Sequence, residues 1–255
     1  AKRRSGQTAR YWPRGRFAKS TIENAFATGS IIITPSSSST GYVGGLVGRF
    51  TSNGSVTNSY SDVDITVAGA STLVSGGGIT SDLPNTGILT NVYATGDITI
   101  ASGAGAGNVG GLVGNLSSSG SQVTNGWASG LISGAATSAG QLFGKRSGSS
   151  TSNIVNTYFA SDSGSALAAI GGGSTNLAGV SADTKADLQA MNFDPAVWSA
   201  LAGYDPYLNL FSTRNGLSGV ADASNGTAAA GATVDVYLSG SLFSSVTTGS
   251  DGSYS

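Results

Sequence analysis

The stretch Leu89-Thr-Asn91-Val-Tyr93-Ala-Thr-Gly96 contains a pattern that occurs five times in this 255-residue chain. Each copy has an aliphatic residue, an asparagine two positions later and an aromatic residue four positions later. The copies begin at Ile22, Val56, Leu89, Val123 and Ile154. Their asparagines, Asn24, Asn58, Asn91, Asn125 and Asn156, are 34, 33, 34 and 31 residues apart. A fixed period in this range is typical of repeat architectures, in which each unit buries its apolar face by stacking on its neighbours.

The spacing within one copy indicates a β-strand, because positions 0, +2 and +4 share one face of a strand and are spread around a helix. We therefore expect the asparagines to face inward with the aliphatic residues and to hydrogen-bond one another from coil to coil. The same parity predicts an inward aromatic stack of Phe26, Tyr60, Tyr93, Trp127 and Tyr158. If these rings faced outward instead, they would form a candidate carbohydrate-stacking ladder.

Glycine marks two further positions of the repeat. Gly29, Gly96 and Gly130 follow the aromatic residue by three positions and predict a corner or bulge, whereas the second copy has Ser61-Asp-Val63 there and should differ. A second element precedes the asparagine by 12 to 14 residues, and its central Leu or Ile is predicted to face inward between glycines. Its copies read Gly44-Gly-Leu46-Val-Gly48, Gly77-Gly-Ile79, Gly110-Gly-Leu112-Val-Gly114 and Gly140-Gln-Leu142-Phe-Gly144.

Two strand elements per repeat predict an all-β fold, a right-handed parallel β-solenoid of four to five coils. Coils stacked at about 4.8 Å would form a rod roughly 20–25 Å long. A β-sandwich is the alternative, although it would not readily place identical residues at a constant register. The Gly-Gly-Leu-Val-Gly and Asn-x-Tyr-Ala-Thr-Gly motifs resemble the GLUG repeat over residues 20–160. That resemblance implies a large bacterial surface or secreted protein, such as a filamentous-haemagglutinin-like adhesin or a surface-anchored immunoglobulin-A-type protease.

The remaining segments differ in composition. Residues 1–19 carry seven basic residues and no acidic one, so they predict a disordered or non-native leader, with a polyanion-binding arm as the alternative. Residues 161–212 are predicted to cap the solenoid with short helices: Thr184 and Asp187 form a capping-box pattern, and Asp194-Pro195 is typical of a helix start before Trp198. A ligand pocket around Trp198, Tyr204 and Tyr207 is the rival interpretation. Residues 213–255 resemble the opening of an immunoglobulin-like or carboxypeptidase-regulatory-like module, with a hairpin turn at Asp251-Gly252.

Few residues suggest chemistry. The chain has no cysteine and no histidine, so a disulfide framework and a thiolate metal site are excluded. Asp62, Asp64 and Asp97 could form a shallow acidic stripe, yet a hard cation needs six or more oxygens, and solvated carboxylates are the expected state. Lys145-Arg146 is expected to be a solvated turn rather than a polyanion site. We therefore predict no catalytic, cofactor-binding or metal-binding residues and no cofactor.

Three functional hypotheses follow from the sequence. The first is a non-catalytic adhesin stalk, secreted or on the bacterial surface, with its targeting signal outside this segment. The second is a carbohydrate-active β-helix enzyme, and the third is an accessory region of a surface protease. Expected partners are host or environmental glycans or proteins contacted through surface loops, and neighbouring domains, with no nucleic acid and no membrane span. No apolar run approaches the roughly 20 residues that span a bilayer.

Overall fold

The computed structural model describes most of the chain in fourteen ranges, which are 20–34, 41–50, 53–68, 74–84, 86–117, 120–147, 153–174, 176–189, 193–199, 205–212, 219–221, 227–238, 241–251 and 253–254. The predicted leader, residues 1–19, lies outside them, and so does Tyr204. The chain divides into two compact units, Ala1–Leu208 and Asn209–Ser255.

The first unit is built of successive coils of parallel strands. The first coil contains β1 (Thr21–Glu23), β2 (Phe26–Ile33) and β3 (Gly41–Gly44), and the second contains β4 (Ser55–Val67), β5 (Val74–Gly77) and β6 (Thr80–Leu83). The third contains β7 (Ile88–Ala94), β8 (Ile98–Ile100), β9 (Ala106–Gly110) and β10 (Val113–Leu116). The fourth contains β11 (Gln122–Ala128), β12 (Ile132–Ser133), β13 (Ser138–Gly140) and β14 (Phe143–Arg146), and the fifth begins with β15 (Ile154–Ala160).

Equivalent strands of successive coils pair in parallel and form three sheets. Sheet A contains the strands of the asparagine motif, from β1 and β2 to β15; sheet B has the order β13-β9-β5-β3, and sheet C has the order β14-β10-β6. Copies of the motif align residue for residue, since Leu89 pairs with Val56 on one side and with Val123 on the other. The predicted parallel β-solenoid of four to five coils is therefore confirmed.

The interior contains two apolar clusters separated by a narrow waist. One cluster lies between sheet C and the part of sheet A that carries the asparagine motif, and it includes Leu89 and Leu112. The other lies between sheet B and the part of sheet A that follows the corner, and it includes Ile98. At the waist, the paired glycines approach small residues of sheet A. A Cβ atom added to Gly78 would lie 2.5 Å from Ala94 Cβ, and one added to Gly111 would lie 2.9 Å from Ala128 Cβ. Glycine is required there because the two walls of the coil nearly touch.

The predicted corner after the aromatic residue is present in the third and fourth coils and absent from the second, as expected, but the one predicted at Gly29 is wrong, because β2 runs unbroken from Phe26 to Ile33 and pairs residue for residue with β4. β4 runs unbroken from Ser55 to Val67, whereas residues 95–97 separate β7 from β8 and residues 129–131 separate β11 from β12. Gly29 has a φ of 119°, which a side chain rarely adopts. Gly96 is needed for another reason: a Cβ atom there would lie 2.2 Å from the carbonyl oxygen of Val63 in the coil below.

Beyond the fifth motif, the chain adds a shorter rung and a helix. β16 (Val180–Asp183) pairs in parallel with β15, and α1 (Lys185–Gln189) follows it. The predicted capping box forms, because Asp187 N–H donates to Thr184 Oγ1 at 3.2 Å and Thr184 N–H donates to Asp187 Oδ2 at 3.4 Å. Asp194-Pro195 opens a turn, in which Val197 N–H donates to Asp194 O at 2.9 Å. The turn leads into β17 (Trp198–Ser199), which pairs antiparallel with β18 (Tyr207–Leu208). The predicted helix start at Asp194 is therefore wrong.

The second unit contains α2 (Asn209–Ser212), β19 (Gly219–Val220), β20 (Thr233–Leu238), β21 (Ser241–Thr247) and β22 (Ser253–Tyr254). β20 and β21 form an antiparallel hairpin, and β22 pairs with β19. Of the predicted hairpin turn at Asp251-Gly252, Gly252 lies outside the described residues; Gly249 N–H donates to Ser253 O at 2.8 Å, but β22 pairs with β19 rather than with β21. Within the described residues, no helix is long and apolar enough to cross a bilayer.

Candidate functional site

The five repeat asparagines adopt the left-handed backbone conformation. Their φ angles are 55°, 47°, 53°, 52° and 48° from Asn24 to Asn156. Asparagine tolerates this region better than most residues because its short polar side chain can bond locally. The side chains form a continuous ladder, in which each Nδ2 donates to the Oδ1 of the preceding coil at 3.4, 2.9, 3.0 and 3.1 Å. The predicted ladder is confirmed.

This backbone kink reverses the inward and outward alternation of the strand. In the third coil, Leu89, Val92 and Ala94 belong to the core, at positions 0, +3 and +5 of the motif. Tyr93, at +4, is outside that cluster, and a Cβ atom added to Gly126 at +3 would point at Leu112 of the core. The prediction that the asparagines and aromatic rings face inward is therefore wrong, because one left-handed residue between two extended segments shifts the parity.

The aromatic residues form a stack along the outer surface of sheet A, which we call the aromatic ladder. Ring centroids are 5.3 Å apart from Phe26 to Tyr60, 4.7 Å from Tyr60 to Tyr93 and 4.8 Å from Tyr93 to Trp127, with interplanar angles of 8°, 2° and 2°. Exposure falls from Phe26, which is 40% exposed, to Tyr93 at 8% and Trp127 at 0%, and Tyr158 at the far end is half-buried. Neighbouring rings cover both faces of Tyr60 and Tyr93, so a sugar cannot stack on either face.

The chain between α1 and the end of the first unit covers the later part of this ladder. We call its described residues, 193–199 and 205–208, the strap. Trp198 lies 5.9 Å from Tyr93, Phe193 meets Tyr158 edge-on at 5.5 Å, and the Phe193 and Trp198 rings stack at 4.7 Å. Ser129 Oγ also hydrogen-bonds Asp205 Oδ2 at 3.3 Å.

Burial changes the chemistry of the ladder tyrosines, both under the strap and beside it. Burial raises the pKa of the Tyr93 hydroxyl, and the charges near it add to the effect. Burial also raises the pKa of Tyr60, with Asp62 as a second cause. The indole N–H groups of Trp127 and Trp198 are buried without an acceptor among the described residues. The strap therefore seals an apolar surface and leaves the Phe26 end of the ladder exposed.

A ligand pocket is the rival interpretation for Trp198, Tyr204 and Tyr207, and the described residues do not form one. Trp198 is 4% exposed and packs on the ladder, and Tyr207 belongs to β18 beside it. The structure therefore gives Trp198 a packing contact, and Tyr204 lies outside the described residues.

The candidate carboxylates Asp62, Asp64 and Asp97 lie exposed on sheet A, and each bonds to the next coil. Asp62 Oδ1 accepts a bond from Thr95 Oγ1 at 2.7 Å, and Asp64 Oδ1 accepts one from the Asp97 N–H at 2.9 Å. Asp97 Oδ1 accepts one from the Leu131 N–H at 2.8 Å. The bonds from the Asp97 and Leu131 N–H groups satisfy backbone donors at the corners where strand pairing is interrupted. Among the described residues, no group of three or more acidic side chains could hold a metal ion.

A further polar cluster, which sequence reasoning missed, lies on sheet C. Asp82 is buried, and its Oδ2 accepts a bond from Arg49 Nε at 3.2 Å; the Arg49 guanidinium lies 4.2 Å from the centre of the Tyr42 ring. Burial raises the pKa of Asp82, partly offset by a hydrogen bond from Ser117 and by the Arg49 charge. The sequence did contain a signal for this cluster. In the second element of the repeat, Asp82, Asn115 and Lys145 each follow the first glycine by five residues.

The predicted solvated turn at Lys145-Arg146 is wrong, because both residues belong to β14 and only one of them is solvated. Lys145 is exposed, whereas Arg146 is 1% exposed and pairs with Leu116 of the core. Its Nη1 donates to the carbonyl oxygen of Asn176, and burial lowers its pKa. Arg146 thus occupies a core position at the last rung of sheet C, which the charge of its side chain concealed.

Comparison with known proteins identifies the repeat and gives no activity. A family model described as the GLUG motif matches residues 39–66, which contain Gly44-Gly-Leu46-Val-Gly48 and the second asparagine motif. No curated protein and no solved structure matches the chain. The matched segment spans the sheet B strand of the first coil and most of β4. The GLUG repeat thus corresponds to the closing part of one coil and the opening strand of the next.

Proposed function

We propose that this chain is a non-catalytic structural segment of a large secreted or surface-exposed bacterial protein, an adhesin stalk that sets the distance between neighbouring domains. The observation that carries the proposal is the use of the repeated polar and aromatic side chains. The asparagines bond along the axis, the rings stack along the axis, and Asp62, Asp64 and Asp97 bind the next coil. The residues that could form a site are therefore committed to holding coils together.

Adhesion, in this proposal, uses the segments that differ between coils. The ladder positions repeat in every coil and are occupied by their own neighbours, so they present little that distinguishes one partner from another. The connections between sheets vary in length and sequence, as the spacings of 34, 33, 34 and 31 residues require. Loops carried on a rigid scaffold are common binding elements. Glycans or proteins of a host or environmental surface are the expected partners.

The enzyme alternative needs two free carboxylates facing one groove. Paired carboxylates of glycosidases stand about 5–10 Å apart and act on a bound substrate. Asp62 and Asp64 lie on the outer face of β4 and are exposed, and each already accepts a bond from the neighbouring coil. This arrangement supports a structural role for these carboxylates. An accessory role beside a surface protease is compatible with the same spacer function.

The proposal is tested by changing the length of the stalk by one coil. Deleting residues 88–121 joins Gly87 to Gln122, and Gln122 is the register equivalent of Ile88. A spacer should keep its β-sheet circular dichroism and cooperative unfolding, because the asparagine and aromatic ladders re-form between β4 and β11. Deleting 88–104 is the matched control, since it removes half a coil and should abolish folding. Unfolding of the full-coil deletion would refute the stalk.

A second experiment addresses the enzyme alternative directly. The purified chain is incubated with a panel of polysaccharides and with unfolded peptide substrates, and products are followed by mass spectrometry. We expect no turnover. Reproducible hydrolysis that disappears in Asp62→Asn or Asp64→Asn, while the variants keep their circular dichroism, would replace the stalk proposal with the enzyme.

A further inference from the structure

Three polar residues lie side by side on successive rungs of sheet C. Asn115 pairs in register with Asp82 on one side and with Lys145 on the other. Adjacent strands are about 4.8 Å apart, so each side chain is within reach of the next. The bridges of Phe143 to Ile170 and of Arg146 to Gly173 place Gly172 beyond Lys145. Of the two neighbours of Lys145 in this column, Gly172 has no side chain, so the side chain beside Lys145 is that of Asn115.

The amide of Asn115 has a defined orientation in the column. Its Nδ2 donates to Asp82 Oδ1 at 3.4 Å, on the side of the preceding coil. Its Oδ1 is buried and accepts no hydrogen bond from the described residues. The amide nitrogen is thus held beside a carboxyl group, while the carbonyl lacks the donor that a buried oxygen normally has.

We propose that Lys145 and Asn115 form a side-chain isopeptide bond that links the third coil to the fourth, with Asp82 transferring the proton. Lys145 is exposed, and no ion pair holds its amine among the described residues. A lysine has a flexible four-carbon stem, which lets Nζ swing toward Asn115 Cγ.

The chemistry balances with the groups in the column. The neutral amine of Lys145 attacks Asn115 Cγ, forming the new C–N bond, and the Cγ–Nδ2 bond breaks. One proton leaves Nζ and reaches Nδ2 through the Asp82 carboxyl group, so the products are a secondary amide and ammonia. Asp82 suits this role because burial raises its pKa and because it already contacts the departing nitrogen. The reaction needs no oxidant, metal or cofactor.

The reaction happens once per molecule, so a slow rate is sufficient. The bond would close a loop between residues 115 and 145 and would oppose peeling of the fourth coil from the third. It goes beyond the proposed stalk function and does not depend on it.

Intact mass spectrometry of the purified, denatured chain tests the proposal. We expect a mass that is lower than the sequence mass by one ammonia, and a branched peptide that joins Asn115 to Lys145 after protease digestion. Incubation at alkaline pH should complete the reaction, because the attacking nucleophile is an uncharged amine. Lys145→Arg keeps the charge at an exposed position and should restore the sequence mass. Asp82→Asn should slow the loss of ammonia.

The variants separate this bond from other losses of ammonia. A ring formed at an asparagine that precedes glycine, such as Asn125-Gly126, does not involve Lys145 and would persist in Lys145→Arg. The proposal is overturned if the chain keeps its sequence mass after alkaline incubation, or if the deficit remains in Lys145→Arg. Circular dichroism of each variant establishes that the fold is retained. None of these outcomes depends on whether the chain binds a surface or a glycan.

Discussion

Replacing Asn91 with alanine should destabilise the solenoid by about 3 kcal/mol, from two separate causes. Asn91 donates to Asn58 at 2.9 Å and accepts from Asn125 at 3.0 Å, and each net hydrogen bond contributes about 1 kcal/mol. Its φ of 53° also places alanine in a left-handed conformation that costs roughly 1–2 kcal/mol. A loss of this size should lower the urea midpoint by about 1 M or more, given urea m-values of about 1–3 kcal/mol/M.

Two matched variants separate these causes. Asn91→Gly loses the same hydrogen bonds, but glycine adopts the left-handed backbone conformation without strain. This variant should therefore cost about 1 kcal/mol less than Asn91→Ala. Asn24→Ala has a φ of 55° and loses only the bond from Asn58 at 3.4 Å, so it should also cost less. Urea unfolding followed by far-UV circular dichroism measures all three. Equal losses for Asn91→Ala and Asn91→Gly would refute the backbone argument, and equal losses for Asn24→Ala and Asn91→Ala would refute the ladder argument.

Three further predictions concern the waist, the strap and sheet C. Gly78→Ala should cost about 2–3 kcal/mol in urea unfolding, because its Cβ would lie 2.1 Å from Gly111 O. Gly48→Ala is the control and should cost far less, since the nearest atom to its Cβ would be 3.5 Å away. Similar losses for the two variants would contradict the close approach of the walls at the waist. Trp198→Ala should increase acrylamide quenching of the buried Trp127, and unchanged quenching would show that the strap does not shield it. Burial raises the pKa of Asp82, so the folded chain holds this proton more tightly and the contribution of Asp82 to stability falls as pH rises through the folded pKa. The urea midpoint of the wild type relative to Asp82→Asn should therefore decline from acid pH upward, and a rise would reverse the assigned sign.

The solenoid could be predicted from the sequence because stacking imposes one register on all coils. An asparagine that recurs every 31–34 residues can bond to its equivalents only if the strands are parallel and aligned, and this is what the structure shows. The central residue of the second element is predicted to face inward between glycines, and Ile79 and Leu112 are indeed buried in the core. These features depend on local residue type and on period, both of which a sequence contains.

The side of the sheet on which the aromatic rings lie could not be derived from the two-residue alternation of side chains along a strand. The rule of alternation assumes an unbroken extended chain, and the left-handed asparagine interrupts it. A second signal was nevertheless present. Position +5 is small in the first four copies, as Ala27, Ser61, Ala94 and Ala128, which indicates close packing at an odd offset from the aliphatic residue. The strap gave no comparable signal, because Trp198 meets Tyr93 across more than a hundred residues with no repeat to set the register.

The outward position of the rings does not make them a binding platform, and this follows from their spacing. A ligand that stacks needs an open ring face, but Tyr60 has Phe26 at 5.3 Å on one side and Tyr93 at 4.7 Å on the other. What remains accessible is the ring edges, and the strap covers those from Tyr93 onward. In the proposed adhesin stalk, recognition would therefore use side chains that the ladders do not use. Such positions lie in the connections between sheets, where the axial register imposes no residue type and the sequence is free to change with the partner.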